Sequence, residues 1–376
     1  MTDESVVDSG AVSDGRAVSE SGAVSEGGAV SEGGVGRACP DCGADIVAGD
    51  RFCENCGSDL LLVTAGTPAT ASAPPPRGCV ACGGTDIDQD GFCARCGFAQ
   101  PAVRDRVELD LAGVAGVSDK GLRHHRNEDS MALRVTSDPA GSARPEHVVA
   151  VVCDGVSTSD RPDDASKAAA DAAADVLLAA ARAGTDIEDA TRDAVAAGLA
   201  AVVELTETGG GVNAPACTYV SAVVACDEVT VGWVGDSRAY WLAAGGDVEN
   251  ESACLTVDDS WAQRMVDTGQ LTERAAFADP RSHALIAWLG ADADSVSPHV
   301  RTIRPAGPGV VLVCSDGLWN YLPDAGELAA AALPKAMTAP FAVAEELTAT
   351  AIDLGGHDNI TVVVVPFPHH TRSTES

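Results

Sequence analysis

The sequence predicts an α+β protein, in which one large domain of strands and helices follows two small cysteine-bearing units. Three observations carry that expectation. From about residue 112 to 368, apolar β-like runs alternate with Ala-rich runs at helical spacing. Several of the apolar runs end on an aspartate. Ahead of them, the spacing C-x2-C-x10-C-x2-C occurs twice. A chain of 376 residues also exceeds one ordinary domain of roughly 150. Its apolar fraction of 45% supplies a sizeable core, and an aromatic content of 4% leaves Ala, Val and Leu to build it.

Residues 1–36 read as a disordered acidic tail. Residues 11–34 repeat every six positions as AVSDGR, AVSESG, AVSEGG and AVSEGG. A six-residue period is also a β-solenoid signal, but each turn here has one valine to bury. That is too little to offset the ordering of the chain. Residues 37–62 and 78–100 form the two cysteine units. Between them, 63–77 is a linker rich in Pro, Ala and Thr, a composition that makes a semi-extended spacer. Residues 101–111 are expected to be a second linker, 112–368 the main domain and 369–376 a short tail.

In the first cysteine unit, Cys39 and Cys42 precede Cys53 and Cys56; in the second, Cys79 and Cys82 precede Cys93 and Cys96. Two thiolate pairs brought together by one short hairpin make the tetrahedral sulfur set that Zn²⁺ favours. Units this small need the metal to hold together, so two structural zinc ions are expected. A disulfide scaffold would need an oxidising compartment, and the acidic N-terminus lacks the apolar stretch of an export signal. The segment resembles the double zinc ribbon found beside many bacterial signalling domains. With all four ligands cysteine, no coordination position is open for chemistry, so docking to a partner or oligomerisation is the expected role. Cys153, Cys217, Cys226, Cys254 and Cys314 read as small buried hydrophobes.

A formal net charge of −32, from 56 acids and 24 bases, excludes a bare nucleic-acid binder. No apolar run approaches the length of a membrane span, and a cytoplasmic location is expected.

The acids of the main domain are ordered. Asn127-Glu128-Asp129 follows Ser118-Asp119-Lys120-Gly121. The apolar run 149–153 leads into Asp154-Gly155, and 229–234 into Gly235-Asp236-Ser237-Arg238. The run 310–314 leads into Ser315-Asp316-Gly317, and His357-Asp358-Asn359 precedes the run 360–365. One Asp-Gly pair is ordinarily a turn. Several, each beside a strand, suggest carboxylates converging at one end of a sheet. Ionised together in a small volume they require cations, and an all-oxygen set points to Mg²⁺ or Mn²⁺.

These motifs, in this order, resemble the PPM-type metal-dependent protein phosphatases, the protein phosphatase 2C family, from about residue 112 to 367. The resemblance implies a four-layer αββα sandwich. Residues 164–183, 186–206, 328–333 and 341–354 are compatible, carrying Ala, Leu and Val at helical spacing. It implies an enzyme that hydrolyses phosphoserine and phosphothreonine in proteins by direct attack of a metal-bridging hydroxide. Asp154 would bridge two metals, Asp316 and Asp358 would complete the first site, and Glu128 with the Gly155 carbonyl would serve the second. Asp129 would hold a metal-bound water, and Asp236 would contribute to a third, weaker site. Asn359 would fix the Asp358 loop. Phosphorylated proteins, including Ser/Thr kinases and their substrates, are the implied partners.

Two departures stand out. The family's phosphate-binding Arg, four residues before the Glu, is here His124, within Arg123-His124-His125-Arg126. His124, Arg123 and Arg126 are the candidates for that contact. After Gly155 the chain runs Val156-Ser157-Thr158-Ser159, without the general-acid His found in family members. The leaving-group proton would come from His124 or from a metal-bound water. The competing reading is a catalytically weak pseudophosphatase acting as a phosphoprotein-binding adaptor.

Overall fold

The computed structural model of the chain describes residues 37–38, 45–46, 82, 84–85, 93–96, 103–136, 145–208, 213–225, 227–245, 251–293 and 296–368. The tails 1–36 and 369–376, the linker 63–77, and Cys39, Cys42, Cys53, Cys56, Cys79 and Cys226 lie outside the described residues. The chain divides into two units, Met1–Ser72 and Ala73–Ser376. In the first, β1 (Arg37–Ala38) pairs antiparallel with β2 (Asp45–Ile46).

The second unit contains the sandwich. Its strands begin with β3 (Arg106–Leu111), β4 (Val114–Asp119), β5 (Asp129–Val135) and β6 (His147–Asp154). Two long helices follow, α1 (Pro162–Ala183) and α2 (Ile187–Thr208). Then come β7 (Ala216–Cys217), β8 (Tyr219–Ala225), β9 (Glu228–Val234), β10 (Arg238–Ala243) and β11 (Ala253–Cys254). Short helices α3 (Trp261–Asp267) and α4 (Glu273–Phe277) precede β12 (Leu289–Gly290), β13 (His299–Ile303) and β14 (Gly309–Cys314). The chain closes with α5 (Asp316–Trp319), α6 (Ala325–Ala336), α7 (Pro340–Asp353) and β15 (Ile360–Phe367).

Two antiparallel sheets stack, one ordered β11-β10-β14-β15-β4-β3 and the other β13-β9-β8-β6-β5. Alternate residues of each central strand face the partner sheet, because side chains alternate along a strand. Val148, Ala150 and Val152 of β6 thus meet Val311 and Val313 of β14 and Val363 and Val365 of β15 in one core. The other alternating set faces helices. Val149, Val151 and Cys153 pack under α1 and α2, and Val310, Leu312 and Cys314 under α5, α6 and α7. Strands covered on both faces are apolar throughout, which is why β6, β14 and β15 read as unbroken runs. The expected αββα layering is the observed one.

Helix α1 packs through Ala165, Ala169, Ala173 and Leu177, four residues apart on one face and all fully buried. Small residues let its backbone come close to the sheet. Pro162 at its start and Gly184 at its end, in the left-handed region at φ 65°, fix its length. The other helices have local signals too. Asp324 accepts from the Glu327 amide at 2.9 Å as cap of α6, and Pro340 opens α7.

One expected boundary is corrected. Residues 101–111 are not a linker: Val103–Asp105 form a 3₁₀ turn, and β3 pairs with β4 along its whole length as the edge of the six-stranded sheet. The strand alternates exposed and half-buried residues, so its sequence RVELDL lacks the apolar run that marked the central strands. Of the scattered cysteines, Cys153, Cys217 and Cys314 are buried as expected, while Cys254 in β11 is half-buried. No helix among the described residues is long and apolar enough to cross a membrane.

Candidate metal centre

The acids gather because strand ends do. In β5 and β6, antiparallel pairing sets Asp129, the first residue of one, opposite Asp154, the last of the other. Asp236 precedes β10, Asp316 follows β14 and Asp358 precedes β15, and these three strands are neighbours in the facing sheet. Both sheets therefore deliver carboxylates to a single rim. Two glycines permit the approach of the loops. A Cβ on Gly155 would lie 2.5 Å from the Pro162 carbonyl oxygen, and one on Gly317 would lie 2.0 Å from that of Asn359.

Mutual repulsion at the rim is strong. Burial, then Asp129, Asp316, Asp358 and Asp236, push the Asp154 carboxyl well above the usual carboxylate range. Burial followed by Asp236, Asp358 and Asp129 does the same to Asp316. Asp236 is pushed up to about 7, by burial first and Asp258 second. Asp129 is pushed up to about 6 by burial, against two hydroxyl donors that favour its ionised form. Those donors are Ser315 Oγ and Thr361 Oγ1, each 2.7 Å from Asp129 Oδ2.

Asp129 Oδ1 and Asp316 Oδ1 are buried and have no hydrogen-bond partner. A buried carboxylate oxygen without a donor costs of order 1–3 kcal/mol or more. Oxygen donors, crowded negative charge and orphaned lone pairs together fit hard divalent cations.

Glu128 stands differently. Its carboxylate accepts from Arg126 Nε at 3.1 Å and from Ser157 Oγ at 2.5 Å. His124 lies between it and Asp358, with Nδ1 at 3.8 Å from Glu128 Oε2 and Nε2 at 3.1 Å from Asp358 Oδ1. Arg126 also reaches Asp163 at 3.5 Å. Arg123 is exposed and makes no ion pair among the described residues. Asn359 staples the loop: its Oδ1 accepts from the Glu128 amide at 2.7 Å, and its Nδ2 donates to the carbonyls of Lys120 and Arg126. Asp119 stays outside the cluster, bonded to Arg106 and to the Gly121 amide. His357 is exposed, its amide donating to the Tyr321 hydroxyl. Arg238 of the GDSR stretch forms a two-pronged pair with Asp258, at 2.9 and 2.7 Å.

Sequence reasoning did not single out Ser157, Ser315 or Thr361 as partners of the acids, although the last two adjoin Asp316 and Ile360 in the motif regions. It also passed over His283, whose ring nitrogen lies within 4.8 Å of ligand oxygens of Asp236 and Asp316. A lone histidine in a loop 33 residues before Asp316 carries no spacing signal.

In the ribbon region, the sulfurs of Cys82, Cys93 and Cys96 lie within 4.8 Å of one another, with Cys82 and Cys93 3.6 Å apart. Ligands at about 2.3 Å on a tetrahedral zinc are separated by about 3.8 Å, so the three fit one ion.

Residues 124–347 match the family model described as protein phosphatase 2C, and residues 39–97 match the double zinc ribbon. The serine/threonine phosphatase stp of Listeria welshimeri is 27% identical over 250 residues, covering 66% of this chain and 93% of its own. The serine/threonine protein phosphatase PstP of Mycobacterium tuberculosis is 29% identical over 266 residues, covering 69% of this chain and 45% of its own. Among solved structures, the PPM Ser-Thr phosphatase MsPP from Mycobacterium smegmatis, in complex with cacodylate, superposes with a TM-score of 0.52 at 26% identity. That likeness covers 68% of this chain and 99% of the other.

Proposed function

The chain belongs to the protein phosphatase 2C family, and from that premise we propose a role for each residue of the rim. The enzyme is a metal-dependent protein serine/threonine phosphatase that acts on phosphoproteins. Asp154, Asp316 and Asp358 would hold one divalent cation, Mn²⁺ or Mg²⁺, and Asp154, Glu128 and the Gly155 carbonyl would hold a second. Asp236 would join Asp316 at a third. When bound, the cations reverse the sign of the rim and supply Lewis-acid activation of water for attack on phosphorus. Supporting this reading above all is the pair of donorless buried oxygens on Asp129 and Asp316 inside the acidic cluster.

The chain's own groups orient the reaction. Ser315 and Thr361 hold Asp129 by one oxygen and leave the other directed away from any protein donor. Ser157 and Arg126 fix the Glu128 carboxylate, so the loop that lacks the family histidine contributes a hydroxyl to carboxylate positioning instead. Arg126 pairs with Glu128 and Asp163 and His124 with Asp358 and Glu128, so either would trade a carboxylate for the substrate phosphate, while Arg123 has no ion pair among the described residues. His124, standing between Glu128 and Asp358, is nearer to the rim than Arg123.

The ribbons, each binding one structural zinc, act as a docking module for protein partners. Ser/Thr kinases and their phosphorylated targets are the partner class, and the setting is the cytoplasm. Phosphate release from a phosphothreonine peptide by full-length protein, with and without Mn²⁺, tests the activity. Turnover is expected only with the cation and is expected to vanish in Asp316→Asn. Folded, metal-bound protein without turnover would contradict it in favour of a phosphoprotein-binding adaptor.

A further inference from the structure

We propose that His283 supplies a nitrogen ligand to the cation between Asp236 and Asp316, so that this end of the rim prefers Mn²⁺ to Mg²⁺. The inference rests on the preceding reading that these two aspartates bind a divalent ion. One ligand atom from each of Asp236, His283 and Asp316 lies within 4.8 Å of the others. Ligands on opposite sides of a cation at about 2.1 Å are about 4.2 Å apart, so small side-chain rotations bring all three onto one ion. Asp236 is only 5% exposed, and of the two Asp316 oxygens Oδ1 is buried with no protein donor while Oδ2 accepts from Asn320 at 3.1 Å.

The imidazole is held rather than loosely displayed. The Ser282 amide bonds the Asp279 carbonyl at 2.9 Å, and the Ala284 amide bonds that of Arg281 at 2.9 Å. The Trp261 amide at the start of α3 bonds the Ala284 carbonyl at 2.8 Å, fixing the residue after His283 to that helix. The ring itself stacks on Trp319, with centroids 5.9 Å apart and planes at 29°. Trp319 lies in α5, the helix that Asp316 begins, and its indole N–H donates to the Asp236 carbonyl at 2.9 Å. One tryptophan therefore touches all three members of the site by stacking, by a hydrogen bond and through its own helix.

Donor chemistry sets the selectivity. Mg²⁺ takes oxygen ligands and keeps its waters, whereas a nitrogen donor favours first-row transition metals, among which Mn²⁺ binds such sites most weakly yet accepts imidazole more readily than Mg²⁺ does. An Asp-Asp-His set shifts preference toward Mn²⁺ at this position, while the ligands proposed for the other two positions are oxygens. Because His283 is exposed, an ion can reach it from solvent.

Pulsed electron paramagnetic resonance on Mn²⁺-loaded full-length protein tests the assignment, since it detects nitrogen bonded directly to manganese. The ribbon zinc, being d¹⁰, is silent in that experiment. A coordinated-nitrogen signal is expected in the wild type, retained in His124→Ala and lost in both His283→Ala and His283→Gln. In equilibrium dialysis, the weakest Mn²⁺ site should lose at least about tenfold in affinity in His283→Ala, with Mg²⁺ binding changed by less than about twofold. A signal lost in His124→Ala but kept in His283→Ala overturns the proposal. Protein that hydrolyses the phosphopeptide yet shows no coordinated nitrogen overturns it too, and leaves the phosphatase reading standing. Protein that binds no Mn²⁺ overturns both.

Discussion

The two ends of the acidic rim are built on opposite principles. At the Glu128 end the protein supplies its own compensation: Arg126 and Ser157 on the carboxylate, His124 beside it and Asn359 beneath its backbone. At the Asp236–Asp316 end compensation is thinner: Asn320 Nδ2 donates to Asp316 Oδ2 at 3.1 Å, but no ion pair reaches either carboxylate among the described residues. Arg238, the nearest guanidinium in the GDSR stretch, is turned to Asp258, and Asp316 keeps a buried oxygen without a donor. A satisfied carboxylate is a positioned ligand in the metal-free protein. An unsatisfied cluster depends on the ion for its charge balance, so metal dependence is concentrated where the protein cations are missing.

The largest effect is expected at the poorly compensated end. Asp316→Asn should lower kcat on a phosphothreonine peptide by at least about 10³-fold, measured at saturating Mn²⁺. At the compensated end, Ser157→Ala removes one donor to Glu128 and leaves Arg126. Cation affinity by calorimetric titration should weaken by about 10–100-fold, with kcat recovered at high metal. A loss that high metal does not recover would erase the distinction between the ends.

His124→Ala should raise KM about tenfold with a smaller change in kcat, the signature of lost substrate binding. A fall in kcat alone would assign the ring to the chemical step instead. Relief of repulsion gives the next measurement. Metal-depleted protein supplied with Mn²⁺ at about 100 times its Kd should gain about 2.7 kcal/mol, raising the Tm of the phosphatase domain by about 5–10 °C. Asp316→Asn should show a smaller rise, because the charge that the ion balances has been removed.

The smallest effect is expected outside the rim. Deleting residues 1–72 should leave hydrolysis of a small aryl phosphate within about twofold, since every proposed catalytic ligand lies beyond that boundary. Deleting 1–109 instead cuts into β3 and leaves β4 an open edge, so thermal stability should fall.

Much of this fold was legible because strands covered on both faces must be apolar throughout. Residues 149–153, 310–314 and 360–365 could be read directly, and each lies inside an observed strand. The edge strand β3 could not, since half-exposed alternation such as RVELDL resembles a polar linker. In the site, each expected acid adjoins a strand end, and Asn359 ties the loop as its place after Asp358 suggested. His283 was illegible because its partners lie 47 and 33 residues away and no motif spans that separation.

Residue type and local spacing were enough to mark the candidate acids and the paired cysteines. Oxygen donors beside strand ends and thiolates in matched pairs are properties of residue type and local spacing, which survive without coordinates. How those donors are divided between well-compensated and poorly compensated came from the folded arrangement. That depends on hydroxyls, guanidinium groups and one imidazole arriving from distant strands and loops. Hydrogen bonding and charge balance act over a few ångströms of space, and sequence separation does not measure that distance.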